Sequence, residues 1–257
     1  MIDVFLIHGA GGASWEWDAW IAVYSIEYRT KYLNLRPIDL FPSGGGLENT
    51  SFDGYVDQVI KKIACSRDFI LIGASMGGII ALKVAEILRP KALVIVSSSL
   101  PGDLIADRNS VPFPSIIRWA AASLPSSVSS PMVEDQQLLD TVKALPDNTR
   151  DMQLYAWKRW RDESGLVMNQ ISCGDGIPID YSLLEAGCPR LAVIPEGDDT
   201  IPAAAQQLLA TRLGADTLRY AHMSHVGPLL STRAAEVAVN VFDWIHRRMY
   251  TNLAHRG

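Results

Sequence analysis

The sequence predicts an α/β fold: a doubly wound, mostly parallel six-stranded sheet, with a helical cap inserted in the chain. Three observations predict it. Apolar runs of strand length alternate with helical patterns from the first residues to 99, and again from 188 to 257. Between them, residues 100–187 lose that alternation and carry prolines, a serine-rich patch at 126–130 and helical stretches. Finally, Phe69–Ile72 runs through Gly73-Ala74-Ser75-Met76-Gly77 straight into a second apolar run. That is a strand, a tight turn and a buried helix in direct succession.

Taken in order, Asp3 to Ile7 reads as the first strand, and Ser14 to Val23, with Trp15, Trp17 and Trp20, as the first helix. Arg29 to Leu35 is the second strand. Phe41 to Thr50 is a loop, and its Gly44-Gly45-Gly46 is followed by no Gly-Lys-Ser/Thr, so it is no phosphate cradle. Ser51 caps a helix whose Val56, Val59, Ile60 and Ile63 share one face. Phe69 to Ile72 is the third strand and Ala92 to Ser97 the fourth. Stretches 114–123, 133–145 and 149–163 read as helices of the cap, over the strand ends where such sheets bind ligands. A structureless loop of that length would be implausible. Arg190 to Ile194 is the fifth strand, followed by a helix opened by Pro202 and closed near Gly214. Thr217 to Tyr220 is the sixth strand and Ser231 to Met249 the last helix. Residues 1–99 and 188–257 therefore form one core domain, and 100–187 the cap inserted in it.

The totals narrow the function. With 257 residues, 48% hydrophobic and a net charge of −5, the chain gives no reason to expect nucleic acid or an anionic membrane as partner. No apolar run reaches membrane-spanning length, and the opening Met1-Ile-Asp-Val-Phe-Leu-Ile reads as a core strand, not a signal peptide. The three cysteines, Cys65, Cys173 and Cys188, show no Cys-x-x-Cys spacing and read as free thiols of a cytoplasmic protein. Whether two copies pair as a homodimer is left open.

Gly-x-Ser-x-Gly between a buried strand and a buried helix is the pattern of a nucleophile elbow. The glycines leave room for a strained turn that lifts the Ser75 hydroxyl above the sheet. The Met76 N–H then faces the place where an oxyanion would form. A serine needs a base, and the base needs an orienting carboxylate. His222 and His225 both follow the last strand; His222, nearer the strand end, is read as the base and His225 as a neighbouring structural or pocket residue. Asp198 and Asp199 both follow the fifth strand. Asp198 is read as the orienting carboxylate, Asp199 as its alternative and Asp103, after the fourth strand, as the third. The ranking is what the family resemblance given below implies: relatives usually place the acid four residues before the proline that opens the next helix (Asp198) or about five beyond the last apolar strand residue (Asp199), and some place it after the fourth strand. Helix capping before Pro202 is the competing role for this pair. His8-Gly-Ala10-Gly-Gly, after the first strand, would bring a second oxyanion donor, the Ala10 amide, with His8 holding the loop.

His-Gly-Ala-Gly-Gly, Gly-Ala-Ser-Met-Gly-Gly, Gly-Asp-Asp-Thr-Ile-Pro and Ala-His-Met-Ser-His stand in an order that resembles the α/β-hydrolase superfamily over essentially the whole chain. Within it the chain is similar to the group of plant methyl-ester esterases and hydroxynitrile lyases. Lyases of that group typically carry Thr after the first-loop His and Lys after the catalytic His, and esterases Gly and Met. Gly9 and Met223 match the esterases. Ala221 departs from the Gly that relatives usually place before the catalytic His. The resemblance implies a carboxylic ester hydrolase acting on a small or medium apolar ester, with no metal or cofactor. Thioesterase, lactonase and carbon–carbon bond hydrolase are alternatives with the same triad. A non-catalytic ligand receptor is the alternative of another class. Gly9, Trp119, Tyr155, Trp157, Trp160 and Met223 are the candidates for the substrate pocket, with packing as the competing role of the aromatics. Lys158, Arg159 and Arg161 read as a solvated face.

Overall fold

The computed structural model describes residues 1–28, 32–42, 45–106, 146–172 and 175–250. Six parallel strands stand in the order β2-β1-β3-β4-β5-β6: β1 (Ile2–Ile7), β2 (Leu33–Ile38), β3 (Phe69–Ala74), β4 (Ala92–Val96), β5 (Arg190–Pro195) and β6 (Asp216–Tyr220). The helices are α1 (Asp18–Glu27), α2 (Phe52–Ile63), α3 (Met76–Ile87), α4 (Gly102–Ala106), α5 (Arg150–Trp157), α6 (Gly165–Ser172), α7 (Ala203–Leu213), α8 (Gly227–Leu230) and α9 (Ala234–Tyr250). A 3₁₀ turn, Ser14–Trp17, leads into α1, because the first apolar residues there wind tighter than an α-helix.

The period of two along each strand builds two cores. Val4, Leu6, Ile70, Ile72, Val94, Val96, Leu191 and Val193 share one cluster with Trp20 and Tyr24 of α1 and Phe242 of α9. Phe5, Ile7, Leu71, Leu93, Ile95 and Ile194 share the other with Val56 of α2, Ile80 of α3 and Leu209 of α7. Strands apolar at every position are thus covered on both faces. All six residues of β3 are buried, whereas the edge strands β2 and β6 are largely open to solvent.

Several boundaries differ from the sequence reading. The second strand starts at Leu33 rather than Arg29, because its core-facing residues are Leu33 and Ile38. The last helix starts at Ala234, after the separate short α8 that Pro228 opens. Of the expected cap helices, 114–123 and 133–145 lie outside the described residues, and 149–163 contains α5 followed by irregular chain. An unforeseen helix, α6, sends Val167 and Ile171 into the α2–α3 core, and Ile177, Ile179 and Leu184 join the same cluster. Ser51 caps α2 as expected, its hydroxyl accepting from Gly54 N–H.

The strand order reverses direction at β1 and β3: the chain leaves β1 towards β2 and β3 towards β4. Loops that diverge at such a point leave a crevice above the carboxyl ends of the strands. Trp20, fully buried in α1, reaches across to α8, its indole N–H donating to the Pro228 carbonyl at 2.9 Å. Trp20→Phe would orphan that buried carbonyl and leave a void. It should cost on the order of 2–4 kcal/mol in urea denaturation, and an unchanged midpoint would refute the role assigned to the bond.

Candidate active site

Ser75 stands at the joint of β3 and α3 with φ 52° and ψ −118°, a backbone conformation that side chains rarely adopt. A Cβ on Gly73 would strike the Gly77 carbonyl, and one on Gly77 the carbonyls of Ile7 and His8. The turn is secured by Ser75 N–H to Val96 O (2.9 Å) and by Gly78 and Ser99 N–H to Ser75 O (2.9 and 3.0 Å). The hydroxyl is thereby held fixed above the sheet.

The histidine that meets it is His225, not His222. Ser75 Oγ lies 2.9 Å from His225 Nε2, and His225 Nδ1 lies 2.8 Å from Asp198 Oδ2. A carboxylate only accepts, so Nδ1 carries the proton and Nε2 is free to accept from the serine hydroxyl. His222 is exposed in the turn that follows β6, at φ +57°. The chain needs three more residues to return over Ser75. Gly197 N–H donates to Met223 O at 2.9 Å on the way, docking the β5 loop onto this one.

Asp198 is the carboxylate brought to the histidine. Its side chain is fully buried; Oδ1 accepts from Thr200 and Ile201 N–H (both 2.8 Å), and Oδ2 also from Gln206 Nε2 (2.7 Å). Asp199 is exposed. Asp103 faces Tyr181 and Arg212 on the surface, at 3.0 and 2.9 Å. Burial disfavours charge on the His225 ring, yet the Asp198 carboxylate, with smaller help from Asp199 and Glu16, raises its pKa above the ordinary histidine value.

The first loop lies directly against the serine: a Cβ on Gly9 would come within 3.1 Å of Ser75 Cβ. Its peptides are pinned one by one. Gly9 O accepts from His8 Nδ1 (2.7 Å) and Gly12 N–H (3.2 Å), and Gly9 N–H reaches Glu16 Oε2 (3.3 Å). Gly11 N–H donates to Glu163 Oε2 (3.0 Å), and Gly11 O accepts from Arg161 N–H (2.9 Å). Arg161 Nε bonds Gly12 O (2.8 Å), and its NH2 group the Leu40 carbonyl (2.9 Å). Among the described residues no acceptor is found for the N–H of Ala10 or of Met76. Because a trans peptide sets C=O and N–H on opposite sides, pinning Gly9 O also fixes where the Ala10 N–H points.

His8 is buried and neutral: burial pushes its pKa down to about 4, and Nε2 accepts from Leu40 N–H at 3.1 Å. The sequence offered no sign of Glu16, Arg161 or Glu163 in this role. Arg161, read as solvated, is still partly exposed, but its guanidinium ties three loops together. On the other flank, Asp147 accepts from Ser224 N–H (3.1 Å) and Ser224 Oγ (2.5 Å), next to His225.

Of the pocket candidates, Gly9 adjoins Ser75. Met223 is 1% exposed and packed in the core, so its match to the esterases came from position and not from contact with a ligand. With His225 against Ser75, the residue after the histidine is Val226, and the comparisons through Met223 and Ala221 lapse. Tyr155 donates to Asp18 (2.9 Å) under the Arg159 guanidinium, and Trp160 Nε1 donates to Glu16 Oε1 (3.0 Å). Trp119 and the Trp157 side chain lie outside what is described. Among the described residues no group of three or more His, Cys, Asp or Glu could hold a metal ion, and no helix is long and apolar enough to cross a membrane.

The sequence model of the alpha/beta hydrolase family matches residues 4–240. The chain belongs to that family. Comparison with curated protein sequences finds no match. Solved structures with the same fold include polyneuridine aldehyde esterase (14% identity, 94% of this chain and 99% of that one, TM-score 0.67). A pyrethroid hydrolase from Sphingobium faniae JZ-2 is 22% identical over 94% and 97% of the two chains, TM-score 0.66. A methylesterase from Arabidopsis is 13% identical over 95% and 98%, TM-score 0.65.

Glu16 gives this site a measurable pH signature. Burial pushes its carboxyl up from 4.5 to about 7, against the pull of the Trp160 and Gly9 N–H groups, His225 and Arg161. The folded protein thus holds this proton more tightly than the unfolded chain. Its contribution to stability is full below the unfolded value and is lost as pH rises through the folded one, by about 3 kcal/mol in all. Glu16→Gln should remove that part of the slope, read by urea denaturation at about pH 4.5 and about pH 8; an unchanged slope would refute it.

Proposed function

We propose that this protein is a carboxylic ester hydrolase working through an acyl-enzyme. The observation that carries the reading is the relay Ser75 Oγ–His225 Nε2 and His225 Nδ1–Asp198 Oδ2, at 2.9 and 2.8 Å. Ser75 Oγ attacks the acyl carbon as its proton passes to His225 Nε2. The carbonyl electrons move onto oxygen, where the amides of Ala10 and Met76 would meet the charge. His225 then gives the proton to the leaving alkoxide, and the ester C–O bond breaks. Water attacks the acyl-enzyme in the same way, His225 taking its proton and returning it to Ser75 as the acid leaves. Asp198 keeps the proton on Nδ1 and stabilises the imidazolium.

Ester is preferred to thioester, lactone or carbon–carbon bond because the structural neighbours named above include a methylesterase and polyneuridine aldehyde esterase. The alternative of an inert receptor is disfavoured by a nucleophile, base and acid already in bonding contact. In this reading residues 100–187 act as a cap that sets substrate size, and the acyl group lies beside Ser75 and Gly9.

Ser75→Ala and His225→Gln should each lower hydrolysis of an activated ester such as p-nitrophenyl acetate by on the order of 10⁴–10⁶, with the fold retained. His222→Gln should keep nearly full activity. A dead His222 variant beside an active His225 variant would return the base to His222. The raised His225 pKa also places the acid limb of kcat/KM above about 6.5, since the neutral ring is the base. An acid limb below that value would contradict the assignment.

A further inference from the structure

Glu16 is a carboxyl 4% exposed, sitting directly behind the first loop, and the hydrolytic steps above do not use it. It lies in the 3₁₀ turn Ser14–Trp17, held by Glu16 N–H to Ala13 O at 3.1 Å. Its two oxygens face different parts of the molecule. Oε2 accepts from Gly9 N–H, one peptide before the Ala10 amide, and Oε1 accepts from the indole N–H of Trp160, which follows α5. Gly12 leaves space for the carboxyl, since a Cβ there would come within 2.5 Å of it. Burying a carboxyl costs several kcal/mol unless donors compensate, so a position chosen only for packing would carry an apolar side chain.

We propose that Glu16 is a positioning residue for the oxyanion-binding loop, bridging Gly9 to Trp160 so that the Ala10 amide is aimed only when the 158–163 segment is seated. This rests on the serine-hydrolase reading. A donor displaced by a fraction of an ångström loses most of its advantage in the transition state, while ground-state binding of the ester hardly changes. The effect therefore falls on kcat and on attack at phosphorus, not on KM.

The bridge makes a distinctive demand on paired substitutions. Glu16→Gln leaves one acceptor oxygen and places an NH2 group against one of two N–H donors. Trp160→Phe keeps a ring and removes the indole N–H. In the double variant the glutamine oxygen can serve Gly9 while its NH2 faces no donor. The experiment measures the rate at which a fluorophosphonate labels Ser75, by mass spectrometry, together with kcat and KM for p-nitrophenyl acetate and a thermal melt of each variant. Glu16→Gln should label Ser75 between about 10-fold and 100-fold more slowly, with KM little changed. Trp160→Phe should show a smaller loss of the same kind, and the double variant should be no slower than Glu16→Gln alone. Single variants that fold and label like wild type overturn the inference, and so does a double variant whose losses multiply. Should Glu16→Gln fail to fold, Trp160→Phe alone decides, since wild-type labelling by it removes the bridge. Absence of labelling in the wild-type protein instead overturns the serine-hydrolase reading itself.

Discussion

The constraint on which the molecule turns is the lack of room beneath Ser75. The β3–α3 joint is so tight that a Cβ on Gly73 would strike the Gly77 backbone, and it packs so closely on the end of β1 that one on Gly77 would strike Ile7 and His8. Ser75 holds a φ of 52°, a conformation costing on the order of 1–3 kcal/mol. Such strain survives only where the surroundings allow no relaxation. Here they do not: every residue of β3 is buried, and nine of the twelve residues of α3 are buried too. The turn that exposes the hydroxyl is therefore a product of the most rigid part of the sheet.

The loops around that turn are held by residues between β4 and β5. Arg161 and Glu163 take up backbone groups of Gly11 and Gly12, and Asp147 takes up the N–H and the hydroxyl of Ser224 beside His225. Charged side chains suit this task because each can satisfy several backbone groups at once, and bonds to an ionised partner are about twice as strong as neutral ones. Arg161 does most, reaching the loops after β1 and β2 from a third element. The loop next to Ser75 is thus held by residues some 150 positions away in sequence.

That separation marks the border of what the sequence could tell. The strands, their parallel order and the elbow were legible, because apolar period and glycine spacing act locally. The clamp was not: Arg161 looks like any surface arginine until its carbonyl partners are known. The two histidines after β6 fall between these cases. His222 is closer to the strand end, but it stands exposed in a turn at φ +57°, and the histidine that meets Ser75 comes three residues later. A proline is the better marker, as it is for Asp198. Pro228 fixes the start of α8, and His225 stands three residues before it on chain whose return is set by that helix.

From the sequence, a carboxylate before Pro202 could either cap the helix or orient a histidine. Asp198 meets the histidine and does not cap: the helix opens at Pro202 with no side-chain cap, while Oδ1 gathers the N–H groups of Thr200 and Ile201 in the loop before it, and Oδ2 takes His225 and Gln206. The loop bonds make the contact with His225 possible. A carboxylate buried against an imidazole alone would lose more in desolvation than one partner returns. Three further donors compensate it. Asp199, one residue on and exposed, lacks these donors and faces water. It adds only a distant field to the pull that Asp198 exerts on His225.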